Sequence, residues 1–131
     1  MNNEKKTTIL VLDDEAIVIK RLKSALEKAG YEVESFSRSA DASKRITERD
    51  FDIVITDLKM EGLDGMQFLS QVKDRSPATE VIVITGFATM DTAKESFQKG
   101  VFDFLAKPFK LGEILETVKK AEKKIREARE I

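Results

Sequence analysis

Three stretches of the chain are almost continuously apolar and β-branched: "TILVL" (8–12), "DIVIT" (52–56) and "EVIVIT" (80–85). Runs without polar alternation mark strands covered on both faces. "YEVESF" (31–36) and "VFDFLA" (101–106) mix polar with apolar positions, as strands at the edges of a sheet do. Between these segments the period lengthens to three or four. Residues 15–29 set Val18, Leu22, Ala25, Leu26 and Ala29 on one helical face, and Gly30 follows as the stop. Residues 65–75 offer Met66, Leu69 and Val72 after the turn-forming "LDG"; residues 39–50 offer Ala42 and Ile46. Residues 89–99 offer only Met90, Ala93 and Phe97 before Gly100, which predicts a thinly anchored helix.

Five strands alternating with five helices predict a parallel sheet between two helical layers. Right-handed crossovers leave few topologies, and three central with two outer strands fit an α/β, flavodoxin-like (βα)5 doubly wound sheet of order 2-1-3-4-5. Such sheets carry their sites at the carboxyl ends of the strands. The first strand ends in Asp13 and Asp14, the third in Asp57, the fourth in Thr85 and the fifth in Lys107. All five side chains are thus expected at one edge.

Composition narrows the chemistry. The chain has 131 residues, enough for one domain, with 23 basic and 24 acidic side chains. That balance does not argue for binding nucleic acid or an anionic membrane. Cysteine and histidine are both absent. Disulfides, thiolate or imidazole metal sites, serine–histidine triads and a phosphohistidine role are therefore excluded. No stretch reads as a signal peptide or a membrane span, and a cytoplasmic setting is expected. No P-loop or dinucleotide-binding glycine motif occurs.

An edge bearing three aspartates would take up protons or hold a cation. Carboxylates about 4 Å apart repel by roughly 4 kcal/mol at an effective dielectric near 20. With oxygen the only ligand type left, a hard divalent ion such as Mg2+ is favoured, with Mn2+ able to substitute. Lys107 and the Thr85 hydroxyl add a positive charge and a donor. A carboxylate, a divalent cation and a lysine suit a phosphoryl group, with Asp57 as the nucleophile. Singly, each residue has an ordinary explanation. Asp13, Asp14 and Glu15 are acids at a helix start, Thr85 is a strand residue, Lys107 is a loop lysine, and loops often open with aspartate. Their coincidence at one edge carries the inference.

In this order and spacing, "LVLDDE", "IVITDLKMEGLDG", "VIVITGFA" and "FDFLAKPF" resemble the receiver domain of two-component response regulators (the CheY-like family) over about residues 7–120. The phrases "DLKMEGLDG" and "ITGFATMDTA" look most like receivers of nitrogen-regulator-type transcription activators. The resemblance implies a signalling switch rather than an enzyme, catalysing only its own phosphoryl transfer and dephosphorylation. Asp57 would accept phosphoryl from the phosphohistidine of a sensor kinase or phosphotransfer protein. Asp14 and Asp57 would ligate Mg2+ directly, Asp13 through water, and the backbone carbonyl of Lys59 would complete the set. Lys107 would pair with phosphoryl oxygens, Gly86 would keep the entrance small, and the bond to Pro108 would be cis. Thr85 would move toward the phosphoryl group and Phe104 would turn inward. That would change the surface of the fourth helix, fifth strand and fifth helix. Phe104 stands where many relatives have tyrosine, so ring position alone would carry the signal; the ordinary alternative is a core aromatic. Lys59 and Phe87 would border the path of attacking water and set the acyl-phosphate lifetime, with slow self-dephosphorylation expected.

The C-terminal stretch repeats Leu111, Ile114, Val118, Ala121, Ile125 and Ala128 at spacings of three and four, a heptad-like seam. The expected layout is a tail over 1–6, the receiver over 7–120 and a helical extension over 121–131. The extension reads equally as a coiled-coil seam, a connector to an output domain or a solvated helix end. A homodimer through the seam or the switch surface is open, as is a transcriptional output carried elsewhere. Two rival functions stand beside the switch. One is an interaction module that never takes phosphate, which usually lacks an acid or the lysine. The other is an aspartyl-nucleophile phosphatase, which would want a D-x-D-x-T motif where this chain has "DDEAI".

Overall fold

The computed structural model describes residues 5–58 and 65–130. Its elements alternate along the chain. They are β1 (Thr8–Leu12), α1 (Ala16–Lys28), β2 (Glu32–Phe36), α2 (Ser39–Glu48), β3 (Ile53–Thr56), α3 (Gly65–Arg75), β4 (Glu80–Thr85), α4 (Met90–Gln98), β5 (Asp103–Ala106) and α5 (Leu111–Arg129). The strands form one parallel sheet of order β2-β1-β3-β4-β5. It is the flavodoxin-like arrangement expected from the sequence.

The apolar runs become the middle of the sheet because both of their faces are covered. Ile9, Val11, Ile53, Ile55, Ile82 and Ile84 project to one side, packing on Val18, Leu22 and Leu26 of α1 and on Ile114 and Val118 of α5. Leu10, Leu12, Val54, Val81 and Val83 project to the other, against Ala42 and Ile46 of α2 and Phe68, Leu69 and Val72 of α3. This is the period-two alternation of a strand serving two cores. Gly30 follows the α1 C-cap with φ +99°, a conformation that favours glycine, and so ends the helix as expected.

Helix α4 differs from its predicted face. Met90 is 90% exposed and Phe97 51% exposed, and the buried residue is Ser96. The helix instead turns Thr92, Ala93 and Ser96 inward, small side chains that let it lie close to β5. Its start is fixed by a reciprocal cap, in which the Thr92 amide donates to Thr89 Oγ1 at 3.0 Å and the Thr89 amide to Thr92 Oγ1 at 2.9 Å. The sequence correctly marks α4 as poorly anchored, but the anchors are the small residues and not the large ones.

Helix α5 turns most of its stripe inward. Ile114, Val118, Ala121 and Ile125 of the heptad-like stripe are buried in the domain's own core, and only Ala128 of the later positions is exposed. The last turns are tied to the amino-terminal base of the sheet as well. Glu122 accepts hydrogen bonds from Thr7 Oγ1 at 2.6 Å and from the Tyr31 hydroxyl at 3.1 Å. Arg129 reaches Asp52 at 2.6 Å and Lys124 reaches Glu80 at 2.9 Å.

Candidate functional site

Parallel pairing brings the strand ends level: Leu12 stands beside Thr56 and Phe36, and Thr85 beside Ala106. The next residues continue the alignment through the backbone. The Asp57 amide donates to the Leu12 carbonyl at 3.1 Å, the Asp13 amide to the Phe36 carbonyl at 3.2 Å, and the Lys107 amide to the Thr85 carbonyl at 2.8 Å. Asp13, Asp57, Thr85 and Lys107 therefore leave the carboxyl edge together. Asp13, Asp14 and Asp57 each offer a carboxylate oxygen within 4.8 Å of the others. Asp13 and Asp57 are buried, while Asp14 faces solvent.

Among the described residues, Lys107 brings a cation to this edge. The Lys107 ammonium lies 2.9 Å from Asp57 Oδ2, 2.7 Å from Asp13 Oδ2 and 3.6 Å from Glu15 Oε1. The bond to Asp57 is a directed hydrogen bond. The contact to Asp13 is a close charge pair outside hydrogen-bond geometry, leaving Asp13 Oδ2 with no directed partner. Burial pushes the Asp13 carboxyl above its ordinary range, which Lys107 and the Glu15 amide only partly offset. Burial works against the Lys107 charge too, but Asp13 and Asp57 outweigh it and hold the ammonium above its ordinary value.

Such a set fits a divalent cation. The donors are all oxygens, three carboxylates converge, and one buried oxygen lacks a directed hydrogen bond. Lys59 lies outside the described residues. The Lys107–Pro108 bond is cis. Thr85 is fully buried, and its Oγ1 accepts the Phe87 amide at 3.0 Å. Gly86 and Phe87 are exposed beside it. Phe104 pairs with Val83 in the sheet and is half-buried against the same cluster as Val83. By strand alternation it shares a sheet face with Thr85.

Two contributors escape the motif reading. A Cβ at Gly65 would fall 2.6 Å from the Asp57 carbonyl oxygen, so only glycine lets α3 start against the end of β3. "LDG" signals a turn but not that collision. Glu15, which reads as a helix-start acid, instead extends toward Lys107.

The comparisons with known proteins give the family. Residues 9–119 match the response regulator receiver domain family. The DNA-binding transcriptional regulator NtrC of Escherichia coli (strain K12) is 33% identical over 113 residues, which are 86% of this chain and 24% of that protein. The transcriptional regulatory protein ZraR of Salmonella typhimurium is 34% identical over 88% of this chain and 26% of its own length. The chain thus spans about a quarter of these relatives. Among solved structures, the beryllofluoride-activated NtrC4 receiver domain dimer superposes with a TM-score of 0.85 at 36% identity, covering 90% of this chain and 98% of that one. On sequence and fold together, the chain belongs to the response regulator receiver domains.

Proposed function

We propose that the domain is a phosphorylation-driven switch in which Asp57 accepts a phosphoryl group from the phosphohistidine of a sensor kinase. The observation that carries this reading is the trio of aspartates at the sheet's carboxyl edge, two of them bridged by Lys107. An Asp57 carboxylate oxygen attacks phosphorus and the bond to the histidine nitrogen breaks. The electron pair stays on the imidazole, leaving an acyl phosphate on Asp57. Asp13, Asp14 and Asp57, with the Lys59 carbonyl, would hold Mg2+, which when bound supplies positive charge to the phosphoryl oxygens. Lys107 holds Asp57 before transfer and neutralises a phosphoryl oxygen after it.

The output step runs through Thr85 and Phe104. The Thr85 hydroxyl exchanges its Phe87 amide partner for a phosphoryl oxygen, and Phe104 follows into the space on the same face. Helix α4, with little but small residues covered, is the element free to respond. Phe87 borders the approach of the hydrolysing water, and Lys59 is the second residue proposed to set the lifetime of the acyl phosphate. The named relatives are transcriptional regulators, which supports control of transcription, in the cytoplasm, by an attached or partner output domain.

The test is intact-protein mass after incubation with acetyl phosphate. Wild type gains one phosphoryl group only with Mg2+, and Asp57→Asn gains none. No gain under any condition would make the domain a phosphate-independent interaction module.

A further inference from the structure

We propose that Glu15 is a positioning residue for Lys107, its carboxylate holding the ammonium when a divalent cation engages Asp13 and Asp57, before a phosphoryl group arrives. This deepens the reading above and rests on it. Glu15 occupies the N-cap of α1 but makes no side-chain cap hydrogen bond. Serine, threonine, aspartate or asparagine would satisfy an amide there. Glu15 leaves that task undone and reaches Lys107 with Oε1 at 3.6 Å. Its backbone is pinned to the cluster, because the Glu15 amide donates to Asp13 Oδ1 at 2.8 Å. The side chain is 55% exposed, against 0% and 6% for the side chains of Asp13 and Asp57. It is the outermost of the three carboxylates around one ammonium.

The competition among these charges gives the arrangement a use. An ammonium and a divalent cation neutralise the same two buried carboxylates and repel each other. Lys107, only 12% exposed along its side chain, would be left without a counterion as the divalent ion binds. A carboxylate already at the rim gives it one and keeps it aimed at the space beside Asp57. At 3.6 Å the present contact is a loose ion pair, so it has room to tighten.

The experiment follows the Lys107 side-chain ammonium by NMR during Mg2+ titration of the full chain, comparing wild type with Glu15→Gln and Glu15→Asp. Both variants alter an exposed side chain. In wild type the Lys107 signal persists at saturating Mg2+. Glu15→Gln raises the Mg2+ Kd roughly three- to ten-fold through loss of one rim charge, and the Lys107 signal disappears into solvent exchange at saturation. Glu15→Asp keeps the charge but loses the reach, so its Kd stays within about two-fold of wild type while the Lys107 signal is still lost. A Lys107 signal that persists in both variants would overturn the positioning role, even if the Kd rises. Wild type that binds no Mg2+ would instead overturn the metal reading itself, and this proposal with it.

Discussion

The two ends of the sheet carry similar numbers of acids and treat them in opposite ways. At the amino-terminal base, Asp52, Glu80 and Glu122 each meet a cation: Arg129 at 2.6 Å, Lys124 at 2.9 Å and Arg126 at 3.3 Å. Two of them also accept hydrogen bonds, Asp52 from the Thr8 amide at 2.9 Å and Glu122 from Thr7 and Tyr31. At the carboxyl end, among the described residues, two of the three aspartates share the Lys107 ammonium and one buried oxygen has no directed partner. A matched cluster holds the fold together. An unmatched one is held by the fold, at a cost in stability, and is thereby ready for a cation that does not belong to the chain.

Removing an acid from each end should therefore have opposite signs. Glu122→Ala strips the acceptor from Thr7 Oγ1 and the Tyr31 hydroxyl and loosens α5 above the buried Ile125. Hydrogen bonds to a charged acceptor at a mostly covered site predict a loss of about 2–3 kcal/mol in denaturant unfolding. Asp13→Asn should do the reverse. It keeps an oxygen for the Glu15 amide and removes a charge that burial disfavours, while Lys107 retains Asp57. Metal-free protein should gain about 1 kcal/mol, with Mg2+ binding weakened in the same variant. A destabilised Asp13→Asn would mean that the Asp13–Lys107 pair supports the fold as the base pairs do.

How much of this contrast the sequence reveals depends on the range of the interaction. The carboxyl end is legible because each of its residues ends or directly follows a strand that the sequence predicts, so finding the strands finds Asp13, Asp57, Thr85 and Lys107 together. The base is not legible. Thr7 and Glu122 lie 115 positions apart and Asp52 and Arg129 lie 77 apart, and no local pattern pairs them. The α5 stripe illustrates the same limit. Spacing shows that Ala121 and Ile125 face something apolar, but not whether it is a second helix or, as here, the sheet below. For α4 the misleading cue was size. Met90 and Phe97 are the large apolar residues, yet close packing on β5 selects the small ones. Gly65 and Glu15 stayed hidden for a related reason, since their roles lie in a collision and a reach across space.

The smallest effect at neutral pH tests the base at its hydroxyl. Burial, followed by the charge and hydrogen bond of Glu122, pushes the Tyr31 phenol from 10.0 up to about 12. The folded state therefore favours the neutral phenol more than the unfolded chain does. The resulting stability is fully present below pH 10.0 and is lost as pH rises through about 12. Tyr31→Phe keeps the ring in the core and leaves Glu122 its contacts with Thr7 and Arg126. At pH 7 it should cost no more than about 1 kcal/mol, the net worth of one hydrogen bond. Its signature lies in the alkaline limb: between pH 10 and 12 wild type should lose stability steadily while Tyr31→Phe stays flatter. Chemical denaturation at a series of pH values reads this directly. Parallel slopes for the two proteins would mean that Glu122 does not hold the phenol neutral, and that the base is matched through its cations alone.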